Sequence, residues 1–450
     1  FLLAMIVRGF IFGQILDHPE VVFKPDSRMY VSLAEGLTKY GSFVYPETPA
    51  RPDVERMPGY PLFLASVLWL FGGSLLPVVV IQIILDSLSC VLIYRLGETI
   101  WKGAGLLSGV LASLNIGMIT YSHFILNDSL FLFFFLVLLI MTFKFLGEPE
   151  WKYGVILGAC MGVAALIRPV IVYIPLLFIP FFFIYFTVKL KFTLITAAGK
   201  VIFVGLIFIL SISPWLIRNY VHYGRFKLTA QSGEHLLQYV VPFVWQYSKG
   251  VPFIEGMKKT SEEFQEKAEE EGIDIQNLSP FEKSDLQVEM ALDILGKEPK
   301  SAIIKAWVFG IIKNIFSPAI IDLSYLLDIE RPHFFYSEGA TLLERARNFI
   351  LNMPGFFGWA VIGSLVIMVL TRFLLLWGFI ITMRHRLWEG LFLFLIILYF
   401  LLVSGPVGYA KYRLPFEPAL IILMAIGIKS LARFYKTRPR RSLVREVDVI

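Results

Sequence analysis

The chain holds only 2 cysteines and 6 histidines among its 450 residues. Cys90 and Cys160 both fall inside long apolar runs, which speaks against a disulfide framework and against a thiolate metal site. The histidines are scattered with no HxxxH or HxH spacing, so no dedicated transition-metal site is expected. Charge is scarce too: 17% of residues are Asp, Glu, Lys or Arg, against roughly 25% in soluble domains. Neither an internal repeat nor a matching pair of Gly/Pro-broken helices is visible in the two halves. That weighs against the inverted symmetry common in secondary transporters.

What the chain has in abundance is apolar surface. It is 57% hydrophobic and 15% aromatic, with a mean hydropathy of +0.70. Runs close to the roughly 17–25 residues that cross a bilayer recur along it. The fold class is therefore an all-α polytopic membrane protein. Candidate spans are 1–16, 75–96, 104–121, 125–146, 151–168, 170–188, 198–217, 357–383, 389–404 and 412–431. The stretch "FLLAMIVRGFIFGQIL" reads as a first helix rather than a cleaved signal, since no A-x-A site follows.

Basic residues set the orientation. Arg95 with Lys102, Lys144 with Lys152, Lys189 with Lys191 and Lys200, Arg384 with Arg386, and the terminal "KTRPRR" mark the cytoplasmic side. The net charge of +6 is then a topology signal rather than a nucleic-acid footprint. Residues 17–74, 122–124, 218–356 and 405–411 share the outer face. That parity requires 58–73, "PGYPLFLASVLWLFGG", to lie at the interface or dip into it. Residues 301–316 read the same way; counted as spans, these two raise the total from about ten to about twelve. Residues 255–300 form a polar helical insertion too small for a large core of its own.

With this topology, ionisable residues from distant segments meet at one membrane surface. Asp26 stands in "KPDSRMY" of the first loop, and Asp128 in "SHFILNDSLF" opens a span. Glu55 and Arg56 precede the Pro-Gly stretch, Arg168 joins two spans, and Arg218 ends "PWLIR". Lys411, Tyr412 and Arg413 stand in "YAKYRLPFEP". Each residue alone reads equally well as a cap, a solvated loop residue or a snorkelling side chain. Together they suit group transfer from a phosphate-linked lipid. Arginine forks match phosphate oxygens, and a carboxylate can take the proton of an attacking hydroxyl. His235 and Glu234 in "SGEHLLQY" read as a solvated loop.

The order "PDSRMYVSLAEGL", "ERMPGYPLFLA", "SHFILNDSLF", "ALIRPV", "PWLIRNYVHYGRF" and "YRLPFEPALIIL" resembles the membrane glycosyltransferases of the GT-C superfamily. The nearest groups are the bacterial relatives of the dolichyl-phosphate-mannose protein mannosyltransferases and the lipid A aminoarabinose transferase. The resemblance spans about residues 20–430. It implies transfer of a monosaccharide from a polyprenyl phosphate, such as undecaprenyl phosphate, to a hydroxyl of a lipid, glycan or protein. It places the reaction on the extracytoplasmic face of a bacterial-type inner membrane. Asp26 is then the general base, and Asp128 binds or orients sugar or acceptor. Arg56 and Arg413 hold the donor phosphate, with Lys411, Tyr412, Arg218 and Arg168 as further contacts and Glu55 and Tyr30 orienting acceptor or sugar.

The implied organisation is a catalytic transmembrane module at 1–217 with its first outer loop at 17–74. An outer-loop region follows at 218–356, and C-terminal helices with a basic tail occupy 357–450. Two departures from the protein mannosyltransferases favour a lipid or glycan acceptor: Asp26 is followed by Ser27 rather than Glu, and no soluble carbohydrate-binding insert is present. No cofactor is required by the pattern. The two carboxylates could hold a divalent cation, but no spacing demands one. Two alternatives stand beside this reading. One is a transporter or lipid flippase, for which Asp86 and Arg372 within apolar runs are the pertinent residues. The other is a polymerase or ligase using a diphosphate-linked glycan.

Overall fold

Proline, glycine and small polar residues cut the apolar sequence into helices at defined places. A computed structural model describes residues 1–332 and 342–437. The end of the "KTRPRR" stretch lies outside the described residues. Among those described, the backbone is helical with one isolated antiparallel bridge, between Val44 and Pro52.

The first half runs α1 Leu2–Ile15, α2 Pro25–Tyr40, α3 Gly59–Leu70, α4 Leu76–Ile100, α5 Gly105–Ser113, α6 Ile116–Tyr121, α7 Asp128–Gly147, α8 Trp151–Ile167, α9 Pro175–Ile184 and α10 Leu194–Tyr223. Then follow α11 Gln231–Glu234, α12 Val241–Ser248, α13 Phe253–Glu270, α14 Pro280–Lys297, α15 Lys300–Phe316 and α16 Ile320–Leu326. The last are α17 Leu342–Leu351, α18 Gly355–His385, α19 Leu387–Ser404, α20 Ala410–Arg413 and α21 Glu417–Thr437.

Among the described residues six helical stretches are long and apolar enough to cross a bilayer: 76–100, 128–147, 169–189, 194–223, 355–385 and 387–404. A seventh arises if α15 and α16, bent by 62° at their junction, form one broken span. The expected span at 104–121 is two short helices. Asn115 breaks it: its Oδ1 accepts the Met118 N–H at 3.0 Å and starts α6 afresh. With 12 residues, α3 is about 18 Å long, short of the roughly 30 Å hydrocarbon core. Its Trp69, Leu70 and Leu62 are exposed, as suits a helix lying along lipid.

One large apolar core runs through α4, α7, α8, α9, α19 and α21, rich in stacked and edge-on phenylalanines such as Phe135, Phe178 and Phe392. Small residues let helices touch where polar backbone must be buried. A Cβ on Gly378 of α18 would stand 1.8 Å from the Leu423 carbonyl oxygen of α21. Ionisable side chains within this bundle find specific partners. Arg8 of α1 and Asp86 of α4, both under 2% exposed, meet at 2.5 Å, and Arg8 also donates to the Ser113 carbonyl. Arg372 donates to the Ile315 carbonyl at 3.0 Å.

Candidate active site

The site lies at one end of the bundle, where α2, α7, α8 and α20 converge with the loop before α3. Proline at the first position starts α2, and Ser27 Oγ accepts the Lys24 N–H at 2.9 Å. This puts Asp26 in the first turn, where helix N–H groups favour a carboxylate. Asp128 likewise occupies the first turn of α7, and Arg168 caps the C-terminus of α8. Arg56 lies in the 53–58 turn, whose Asp53 Oδ2 accepts the Arg56 N–H at 2.9 Å. Burial pushes the Asp53 carboxyl up to about 6.

These segments form one charged chain. Arg56 Nη2 is 3.4 Å from Asp26 Oδ1. Lys411 Nζ lies 3.7 Å from Asp26 Oδ2 and 3.8 Å from Asp128 Oδ2. Arg168 Nη1 donates to Asp128 Oδ1 at 2.9 Å. Three cations thus face two carboxylates. Burial works against the Lys411 ammonium, but Asp128 and Asp26 outweigh it and hold its pKa above the ordinary lysine value. Exposure separates the carboxylates: the Asp26 side chain is 45% exposed and that of Asp128 is buried. Within this charged network two buried atoms have no hydrogen-bond partner, Arg56 Nε and Asp128 Oδ2. One is a donor and the other an acceptor, the complement that a ligand with phosphate and hydroxyl groups supplies.

Other expected residues take different places. Arg413 is 5% exposed and turned away from this network. Its Nε donates to Glu417 at 2.5 Å and its Nη1 to the carbonyls of Asn314 and Ser317 at 3.2 and 2.9 Å. Its guanidinium is committed to locking α20 onto the α15 end, so the structure places Lys411, not Arg413, beside the two carboxylates. Arg218 is a loop clamp: it donates to the carbonyls of Asp53 and Phe43 at 2.7 and 3.3 Å and lies over the Trp215 ring. Glu55 is half-buried, and its carbonyl accepts from Thr229 Oγ1 at 2.8 Å. Tyr30 is buried edge-on against Tyr60, with ring centroids 5.0 Å apart, and Tyr412 is half-buried beside Lys411. His235 is half-buried and stacks on Tyr239, whereas Glu234 is exposed.

The sequence reading missed what holds Lys411 in position. Asp322 of α16 is 1% exposed and accepts hydroxyl hydrogen bonds from Tyr121, at 2.9 Å, and from Tyr409. Asn314 Oδ1 accepts the Tyr409 N–H at 3.0 Å, just ahead of α20. It also missed Lys24, whose Nζ lies 3.2 Å from the Tyr325 ring centroid. Burial lowers the Lys24 pKa to about 8. No local signal marks these residues: Tyr121 and Asp322 are 201 positions apart, and Lys24 is farther still from Tyr325. Among the described residues no group of three or more His, Cys, Asp or Glu side chains is arranged to hold a metal ion.

Residues 51–217 match the model of a family described as dolichyl-phosphate-mannose-protein mannosyltransferase. The match bears out the resemblance to GT-C membrane glycosyltransferases and the reading of the chain as an enzyme of that class. It contains Arg56, Asp128 and Arg168, while Asp26 and Lys411 lie on either side of it. Among solved structures, ArnT from Cupriavidus metallidurans bound to undecaprenyl phosphate is 14% identical, with a TM-score of 0.42, over 95% of this chain and 78% of that one. The apo state of the same protein gives 14% identity and a TM-score of 0.36, over 93% of this chain and 78% of that one. No curated protein matches the chain.

Proposed function

We propose that this membrane protein moves a monosaccharide from a polyprenyl-phosphate donor to a hydroxyl of a lipid or glycan acceptor, in one inverting displacement on the extracytoplasmic face. The observation that carries the reading is that Arg56 Nε lacks a hydrogen-bond partner and so does Asp128 Oδ2, whose nearest cation is Lys411 at 3.8 Å, which leaves one donor and one acceptor for a ligand. A sugar phosphate satisfies both at once: phosphate oxygen accepts from Arg56 and Lys411, and a sugar hydroxyl donates to Asp128.

The half-exposed Asp26 takes the proton of the acceptor hydroxyl, whose oxygen forms the new bond to the anomeric carbon. The bond from that carbon to the phosphate oxygen breaks, and the electron pair leaves with the phosphate. A phosphodiester monoanion becomes a monoester carrying a second negative charge. Lys411 and Arg56 meet that developing charge where it forms. Both carboxylates already face cations, and we take the transfer to need no divalent ion.

Asp26→Asn keeps the shape of the side chain and removes the base. Transfer falls by about 10²–10⁴-fold, while the variant still inserts and still binds donor. Mass spectrometry of lipids that co-purify with Asp26→Ala in mild detergent tests the donor directly. A polyprenyl monophosphate bearing one sugar is expected; a diphosphate-linked oligosaccharide would move the protein to the polymerase or ligase class. Near-normal transfer by the Asn variant would remove Asp26 from the base position.

A further inference from the structure

At the opposite end of the bundle the chain builds a basic cavity, of about 460 Å³, which plays no part in the proposed transfer. Its walls include Trp101 and Lys102 after α4, His385 at the end of α18, Arg386, and Lys429 and Arg433 on α21. Lys429 lies twelve residues along α21 from Glu417, about 18 Å from the site end of that helix.

The cavity is constructed rather than incidental. Glu98 Oε1 and Oε2 accept the Gly103 N–H at 2.8 Å each, and Oε2 takes the Gly105 N–H at 3.2 Å. Those bonds fold the 101–104 turn against α21, with Gly103 at φ +81°. That left-handed backbone is what calls for glycine at 103, and the Lys429 ammonium fills the space a side chain would take. Lys429 Nζ also donates to the Lys102 carbonyl at 3.3 Å, which fixes it beside another residue of the cavity wall. Trp101 meets His385 edge-on at 6.1 Å and supplies an indole at the level where tryptophans sit in membranes.

Charge and surroundings select the occupant. Lys102, Arg386 and Lys429 bring three permanent cations to one cavity. Nearby, Glu98 is engaged by backbone N–H groups and Glu389 stands 3.8 Å from Arg386. An excess of positive charge faces the opening. Ile381 lines the wall, and beyond it Ile380, Leu376 and Phe373 of α18 expose apolar surface that continues up the helix. A basic socket joined to an apolar track is the shape of a phosphate headgroup with acyl chains attached.

We propose that this cavity binds the phosphate headgroup of an anionic phospholipid, with its chains laid along α18. The group recognised is a phosphate ester; the apolar track assigns it to lipid rather than to a free anion. The occupant is distinct from the donor lipid and stands whether or not the transfer reaction is as proposed.

Native mass spectrometry of the full chain, titrated with phosphatidylglycerol or phosphatidylcholine in detergent, tests this. The wild type is expected to prefer phosphatidylglycerol. Lys429→Gln and Lys102→Gln should each weaken it about fivefold, one cation's share at a membrane surface. Lys429→Arg should retain the affinity, and phosphatidylcholine binding should be the same in all four proteins. Equal phosphatidylglycerol affinity in the wild type and both Gln variants would overturn the site. Displacement of the lipid by millimolar inorganic phosphate would overturn its assignment to lipid.

Discussion

The two basic residues of the "AKYR" turn carry opposite duties. Residues two apart on a helix point about 200° apart, so Lys411 faces the carboxylates while Arg413 faces the α15 end. Lys411→Ala should leave thermal stability near that of the wild type and weaken donor binding, measured by lipid titration. Arg413→Ala removes one partner of a buried ion pair with Glu417, a loss of about 3–5 kcal/mol, and should show first as a lower melting temperature. The charged cluster was legible in sequence because ionisable residues beside apolar runs are few, and Asp26, Arg56, Asp128 and Arg168 all stood out. Which of the two basic residues, Lys411 or Arg413, faces the cluster was not legible, because helix phase depends on where α20 begins. Asp53 supplies a pH test. Its folded pKa, about 6, lies above the unfolded value near 3.9, so its contribution to stability is full below about pH 3.9. That contribution is lost as pH rises through 6, and Asp53→Asn should flatten the melting-temperature profile across this interval. An unchanged profile would mean that Asp53 does not titrate there.

At the scale of elements, the apolar periodicity located the long helices to within a few residues. It failed where one polar side chain overrides a continuous apolar run, as Asn115 does between α5 and α6. It could not decide α3 either, because 58–73 has the composition of a span and only the 12-residue helix reveals the shortfall. A helix that does not cross leaves both its flanks on one side. Lys39→Cys and Ser74→Cys, in a background lacking Cys160, should therefore react with an impermeant maleimide from the same face. Labelling from opposite faces would make α3 a span. The α18–α21 contact offers a packing test. Gly378→Val drives side-chain atoms into the Leu423 carbonyl and should cost about 1–3 kcal/mol or more, read as a lower melting temperature in detergent.

For the molecule as a whole, the site is a property of the complete chain. The family match ends at residue 217, yet Lys411 bridges the two carboxylates from far beyond it. The anchors of Lys411 are Asn314 and Asp322, on either side of the 62° bend between α15 and α16. Straightening that bend would withdraw the ammonium from Asp26 and Asp128. Asn314→Ala is accordingly expected to raise KM for donor while leaving the protein inserted, and titration of donor in a transfer assay checks it.

The buried pair of Arg8 and Asp86 also constrains how the protein is made. A 14-residue helix carrying an arginine is a poor solute for lipid until that charge is matched. Its partner is 78 residues downstream, about 4–16 s of synthesis at 5–20 residues per second. The helix carrying Arg8 is therefore at home among apolar neighbours only once α4 lies beside it, which ties the placement of the two helices together.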